Sequence, residues 1–149
     1  MIETNTILSE ALSKALETMA FMIAEPPEQQ NDAPAESYLA RMHFEGPVSG
    51  TIEILAGGEL TRSLALNISG DEQAEQDKSV DALKELLNVT CGLLLPLLPS
   101  LPTDTFEFSV PELVSTGDAE HWRQFVGQDD VVVLDVSGQL IATRLTVRG

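Results

Sequence analysis

The stretch at residues 81–96 reads DALKELLNVTCGLLLP, and the rest of the chain is interpreted outward from it. On a helical wheel at about 100° per residue, four positions fall within about 60° of one another. They are Asp81, Glu85, Asn88 and Gly92. The opposite side carries Ala82, Leu83, Leu86, Leu87, Thr90, Cys91 and Leu94. The stretch therefore predicts an amphipathic helix whose outer face is a narrow polar stripe, defined by those first four residues.

Two members of the polar stripe are unfavourable helix residues. In a helix interior, Asn88 costs a few tenths of a kcal/mol relative to alanine, and Gly92 costs roughly 1 kcal/mol. Folding alone does not explain either residue on a face that meets only water. One interpretation is a solvent-exposed helix face on which Asn88 and Gly92 have no role. The other is a surface that meets a partner.

The spacing Asp81-x-x-x-Glu85-x-x-Asn88, followed by an apolar run that contains Gly92, resembles the signature helix of the CheC/CheX/FliY phosphatases. Those proteins dephosphorylate CheY-type response regulators of bacterial chemotaxis. The chain is most similar to CheX-like members, because it has one complete motif. The resemblance implies a single CheX-like phosphatase domain over residues 1–149.

The resemblance also implies a substrate, the aspartyl phosphate of a phosphorylated CheY-like receiver domain. The Mg²⁺ beside that phosphate would come with the partner, so no cofactor of the chain's own is expected. Hydrolysis requires a water placed in line with the phosphorus atom. A neutral amide can hold such a water, so Asn88 is expected to position it. Glu85 is expected to pair with a receiver lysine, and Asp81, Lys84 and Gly92 to complete the binding surface.

Composition limits the other possibilities. A chain of 149 residues fits one domain, and its net charge of −16 argues against nucleic acid and anionic membrane surfaces as partners. The single Cys91 cannot form an intrachain disulfide. The N-terminal residues do not resemble a signal peptide, and the apolar stretch at residues 89–98 is too short to span a bilayer. We therefore expect a cytoplasmic location.

Other site chemistries have no support in the sequence. His43 and His121 are far apart, and no Cys/His pair has the spacing of metal ligands, so no metal site is expected. Gly57-Gly58 lacks the remaining residues of a phosphate-binding loop and predicts a turn.

The fold class is predicted from the order of the elements. Helices are expected at residues 6–24, 59–68 and around 81–96, the last capped by Asp77 or Ser79. Strands are expected at residues 37–45, 48–56, 106–110, 130–136 and 140–148, with a loop or short helix at 117–127. The first two strands are expected to form a hairpin, and so are the last two, around a two-residue turn near Ser137-Gly138. Residues 25–36 and 69–79 are expected to be connections. The pattern predicts an α+β fold with an antiparallel sheet and the long helices packed on one face.

The first predicted helix carries a related pattern, Ser13-x-x-x-Glu17-x-x-Ala20. In the light of the resemblance it is a degenerate copy of the motif. We expect it to be inactive, because Ala20 has no group that could position a water. An ordinary amphipathic helix explains it equally well.

Two alternatives to a phosphatase remain open at this point. One is a non-catalytic module that uses the polar stripe only to dock a receiver domain or another signalling protein. The other is an acidic secretion-type chaperone, which would have no use for Asn88. The resemblance further implies a homodimer, and the segment after Pro102 is a candidate for strand pairing between copies.

Overall fold

A computed structural model describes residues 4–27, 32–70, 76–98 and 105–148. Its helices are α1 (Thr4–Ala20), α2 (Gly58–Ser69), α3 (Gln76–Leu94) and α4 (Ala119–Val126), and α3 continues into a 3-10 turn at Leu95–Leu97. Its strands are β1 (Ser37–Glu45), β2 (Ser49–Gly57), β3 (Glu107–Phe108), β4 (Glu112–Gly117), β5 (Val131–Val136) and β6 (Gln139–Arg148). The predicted α+β class is confirmed.

The six strands form one antiparallel sheet in the order β3-β1-β2-β6-β5, and β4 also pairs with β1. Both predicted hairpins, β1-β2 and β5-β6, are present within one residue of their expected bounds. The turn of the second hairpin has positive φ at Ser137 and Gly138, 55° and 87°, which is typical of a two-residue turn that follows the twist of its strands.

The main core lies between one face of the sheet and the three long helices. Alternate residues of β1 and β2 point into it, and so do the apolar sides of α1, α2 and α3. A smaller apolar cluster occupies the other face of the sheet, where Trp122 and Phe125 of α4 pack on Leu39, Leu55 and Leu140. The long helices therefore share one face, as predicted, and the segment at residues 117–127 supplies the short helix of the second face.

Two predicted helix ends were wrong. The first helix ends at Ala20 rather than at residue 24, because Phe21 adopts φ = 57° and the Met22 amide donates to the Leu16 carbonyl at 3.1 Å. That bond closes the last turn well before Pro26. The central helix begins at Gln76, so Asp77 and Ser79 lie inside it and do not cap it.

The strand prediction after the central helix was partly wrong. Only Glu107–Phe108 pairs there, and Val110 lies outside any strand. Pro111 interrupts the ladder because it lacks an amide hydrogen, and pairing with β1 resumes in β4, which the sequence analysis did not predict. Parts of the connections expected at residues 25–36 and 69–79, and the first residues of the segment after Pro102, lie outside the described residues.

Candidate functional site

The orientation of α3 follows from what it packs against. The helix packs against α1, α2 and the strands β1 and β2. Its apolar residues Leu83, Leu86 and Leu87 are completely buried, and Cys91 is almost so. Because the helix repeats every 3.6 residues, burial of this side fixes the opposite side toward solvent.

The polar stripe lies on that outer side as the sequence predicted. All four members are exposed, and Lys84 is half-buried beside them. With a rise of about 1.5 Å per residue, Asp81 and Asn88 stand about 10 Å apart along the helix axis. Within the described part of the chain, the side chains of Glu85 and Asn88 take part in no hydrogen bond or ion pair. The structure thus places the predicted residues together on one face with their polar groups free for another molecule.

Gly92 opens a gap in the stripe one turn beyond Asn88. A Cβ built at this position would meet no other atom within 4 Å, so packing in the protein does not require glycine here. The exposed helix interior makes glycine roughly 1 kcal/mol less favourable than alanine. What the missing side chain does provide is room for another molecule to approach the helix backbone beside Asn88.

The related pattern in α1 is placed differently. Glu17 is exposed, but Ala20, which corresponds to Asn88, is completely buried. The carbonyl of Ala20 accepts a hydrogen bond from Asn67 Nδ2 of α2 at 2.7 Å. The third position of this pattern therefore faces the interior, and a polar group there could not reach a partner.

A groove between α2 and α3 borders the polar stripe, and sequence reasoning did not find it. Its volume is about 400 Å³, and it is lined by Ala65, Ile68, Ser69, Lys78, Asp81, Ala82 and Glu85. A local pattern of apolar residues in α2 does not show that part of its apolar side stays open next to Asp81 and Glu85.

A second cavity, of about 320 Å³, lies near the start of α2 and includes Glu36, Glu59 and Arg62 in its wall. Glu36 also accepts a hydrogen bond from the Tyr38 hydroxyl, which raises the pKa of Tyr38 above its usual value.

In the ranges that the structure describes, no three His, Cys, Asp or Glu side chains are grouped as metal ligands would be. Nor does any described helix have the length and apolar character needed to cross a bilayer.

With this geometry established, comparison with known proteins identifies the family. A family model described as "Chemotaxis phosphatase CheX" matches residues 38–136, a span that contains the whole polar stripe. The chain belongs to the CheX family of chemotaxis phosphatases. A search of curated proteins found no match.

Solved structures of the family share the fold of this chain. A CheX from Desulfovibrio desulfuricans is 18% identical, with a TM-score of 0.72 over 99% of this chain and 100% of the other. CheX from Vibrio vulnificus is 16% identical, with a TM-score of 0.70 over 99% and 97%. A CheX–CheY–BeF3–Mg²⁺ complex from Borrelia burgdorferi includes a chain that is 15% identical, with a TM-score of 0.63 over the full length of both. These similarities confirm the CheC/CheX-like architecture.

The reactivity of Cys91 tests the orientation of α3. Burial raises the pKa of its thiol from 9.0 to about 11, so the native protein holds little thiolate at pH 8. We expect Cys91 to resist alkylation in the native protein at pH 8 and to react rapidly in urea. Stability should be insensitive to this thiol below pH 9 and fall as the pH rises toward 11, because the unfolded thiol ionises first.

The measurement is the rate of iodoacetamide labelling, followed by mass spectrometry, with urea-unfolded protein as the control. Equal labelling rates in the native and unfolded protein would show that this side of α3 is not in the core, and that the stripe is not where the structure puts it.

Proposed function

We propose that this chain hydrolyses the aspartyl phosphate of a CheY-type receiver domain, by inserting the polar stripe of α3 into the receiver's active site. The observation that carries the proposal is Asn88, an amide held on the outer face of α3 with no hydrogen-bond partner among the described residues. Membership in the CheX family supports the reaction class. The Borrelia burgdorferi CheX–CheY complex supports a receiver domain as the partner.

Asn88 positions the attacking water in this proposal. Phosphoryl transfer depends mainly on alignment and electrostatics, and little covalent chemistry is required of the enzyme. The amide carbonyl accepts a hydrogen bond from the water, while the NH₂ group can donate to a nearby acceptor. An amide also carries no charge, so it can approach an anionic phosphoryl group where a carboxylate would be repelled.

Glu85 anchors the complex. A carboxylate near the phosphoryl group would be unfavourable unless a cation neutralised it, so Glu85 pairs with a lysine of the receiver. Its exposed position, less than one helical turn before Asn88, allows it to do so without moving α3. Asp81 and Lys84 lie at the margin of the same surface.

The remaining properties of the proposal concern the assembly. Mg²⁺ belongs to the receiver, so the chain needs no cofactor of its own, and both proteins act in the cytoplasm. The chain forms a homodimer. An exposed edge near β3, where Phe108 and Val110 are 55% and 85% exposed, is a surface through which two copies could pair.

Replacing Asn88 by alanine tests the central step. Asn88→Ala should lower the stimulated loss of phosphate at least about 100-fold, because alignment of the water contributes several kcal/mol to such reactions. The free energy of unfolding should change by less than about 0.5 kcal/mol, because the residue is exposed. Phosphate release from a ³²P-labelled receiver measures the rate of hydrolysis, and urea unfolding measures the free energy of unfolding. If the variant keeps near-normal activity, Asn88 does not position the water.

The two glutamates that lie at the second position of each pattern form a matched pair. Glu85→Ala should raise the Kd for the phosphorylated receiver about tenfold, since a charge-assisted hydrogen bond is lost. Glu17→Ala makes the same change on α1 and should leave the Kd unchanged. Titration of a fluorescently labelled receiver gives both constants. Equal effects of the two substitutions would mean that only overall charge matters.

Gly92 provides a test in which stability and activity move in opposite directions. Gly92→Ala should raise the free energy of unfolding by about 0.5–1 kcal/mol, because the added methyl meets open space and favours the helix. The stimulated rate should fall about tenfold, because the methyl displaces the receiver from Asn88. A more stable variant with full activity would show that Gly92 is not part of the binding surface.

A further inference from the structure

The groove between α2 and α3 has two chemically different parts. Its floor is apolar, formed by Ala65 and Ala82, and Ile68 at its side is still 38% exposed. Its rim on the α3 side carries the carboxylates of Asp81 and Glu85, both exposed. An apolar floor below a charged rim suits an amphipathic side chain, which buries its hydrocarbon stem and keeps its head polar.

The charge of the rim determines whether the polar head of that side chain is cationic or anionic. Two carboxylates outnumber one cation, Lys78, which lies toward the start of α3. An anionic group would be repelled by Asp81 and Glu85, and a purely apolar one would desolvate them without compensation. A lysine or arginine side chain satisfies both parts, because its stem covers the floor and its head meets the Asp81 carboxylate at the rim.

The position of the groove along α3 says where such a residue lies on a partner. Asp81 is about 10 Å from Asn88 along the helix axis. If Asn88 stands at the phosphoryl group, the Asp81 end of the groove meets the receiver about 10 Å away from it, on the receiver surface outside its active site. The cation in the groove is therefore a different residue from the active-site lysine that pairs with Glu85.

We propose that the groove between α2 and α3 binds a lysine or arginine from the surface of the receiver domain, which makes α2 a second docking element and Asp81 and Ile68 determinants of receiver specificity. This inference rests on the proposed function, because it takes the receiver as the partner. It adds a second, peripheral contact through which one receiver could be distinguished from another without changing the water-positioning step.

Binding to a receiver loaded with BeF3⁻ and Mg²⁺ separates docking from hydrolysis. Asp81→Asn and Ile68→Ser should each raise the Kd about fivefold. The first removes the carboxylate that meets the cationic head, and the second removes part of the apolar surface that covers its stem. Asp77→Asn is the matched control, because it removes the same charge one turn before Asp81, at a residue that does not line the groove, and it should change the Kd less than twofold. The maximal rate of phosphate release at saturating phosphorylated receiver should be unchanged in Ile68→Ser and in Asp77→Asn.

Substitutions in the receiver then identify the partner residue. Each exposed lysine or arginine within about 15 Å of the phosphorylated aspartate is changed to alanine and combined with Asp81→Asn in a double-mutant cycle. One of them should lose its effect in the Asp81→Asn background and keep it in the Glu85→Ala background. If no receiver residue couples to Asp81, or if Asp81→Asn and Asp77→Asn weaken binding equally, the groove is not a docking site.

The two proposals fail in distinguishable ways. If the wild-type chain neither binds the loaded receiver nor speeds loss of its phosphate, the proposed function fails and the inference fails with it. If wild type binds and hydrolyses, Asn88→Ala does not hydrolyse, and the groove variants behave like Asp77→Asn, the inference alone is overturned.

Discussion

Burial of one side of α3 is the constraint on which the rest of the site depends. Leu83, Leu86 and Leu87 are completely removed from solvent against the sheet and the flanking helices. Rotating α3 far enough to hide Asn88 would expose these leucines, at a cost on the order of 2 kcal/mol for each side chain. The core thus holds the polar stripe in a fixed outward position, and a fixed position is what the alignment of a water molecule requires.

Charge is distributed along the stripe in a way that suits an anionic reaction centre. The carboxylates of Asp81 and Glu85 precede the neutral amide of Asn88, and Gly92 follows with no side chain. Across the whole chain the net charge is −16, which favours a partner with a basic docking face. In the proposed function, basic residues of the receiver near the stripe supply that attraction, and the groove beside Asp81 is the proposed second place where one binds.

Much of the fold could be predicted because local patterns and tertiary structure agree. The 3.6-residue period of α3 identified its core side, alternation identified the two hairpins, and Ser137-Gly138 indicated the turn of the second one, where both residues have positive φ. Asp118 before α4 and Gly127 after it are also ordinary helix-end signals. The Asp118 side chain does accept a hydrogen bond from the His121 amide at 3.0 Å, so this helix could have been predicted more firmly.

The remaining features depend on contacts that a local pattern does not contain. The early end of α1 requires Phe21 to adopt a left-handed conformation that is uncommon for a residue other than glycine. Strand β4 follows a proline and has little apolar character, so only its pairing with β1 reveals it. The groove arises where residues of α2 and α3, nine or more positions apart in sequence, come side by side. The exposed stripe residues could be named from the sequence, but the surface next to them could not.

The most direct test of the account is a crystal structure of this chain bound to a receiver domain loaded with BeF3⁻ and Mg²⁺, a stable substitute for the phosphoryl group. The account predicts that α3 enters the receiver's active site, with the Asn88 amide next to the BeF3⁻ group, one water within hydrogen-bond reach of both, and the receiver backbone close to Gly92. A complex in which the receiver contacts another face of the chain, with Asn88 still in solvent, would contradict it.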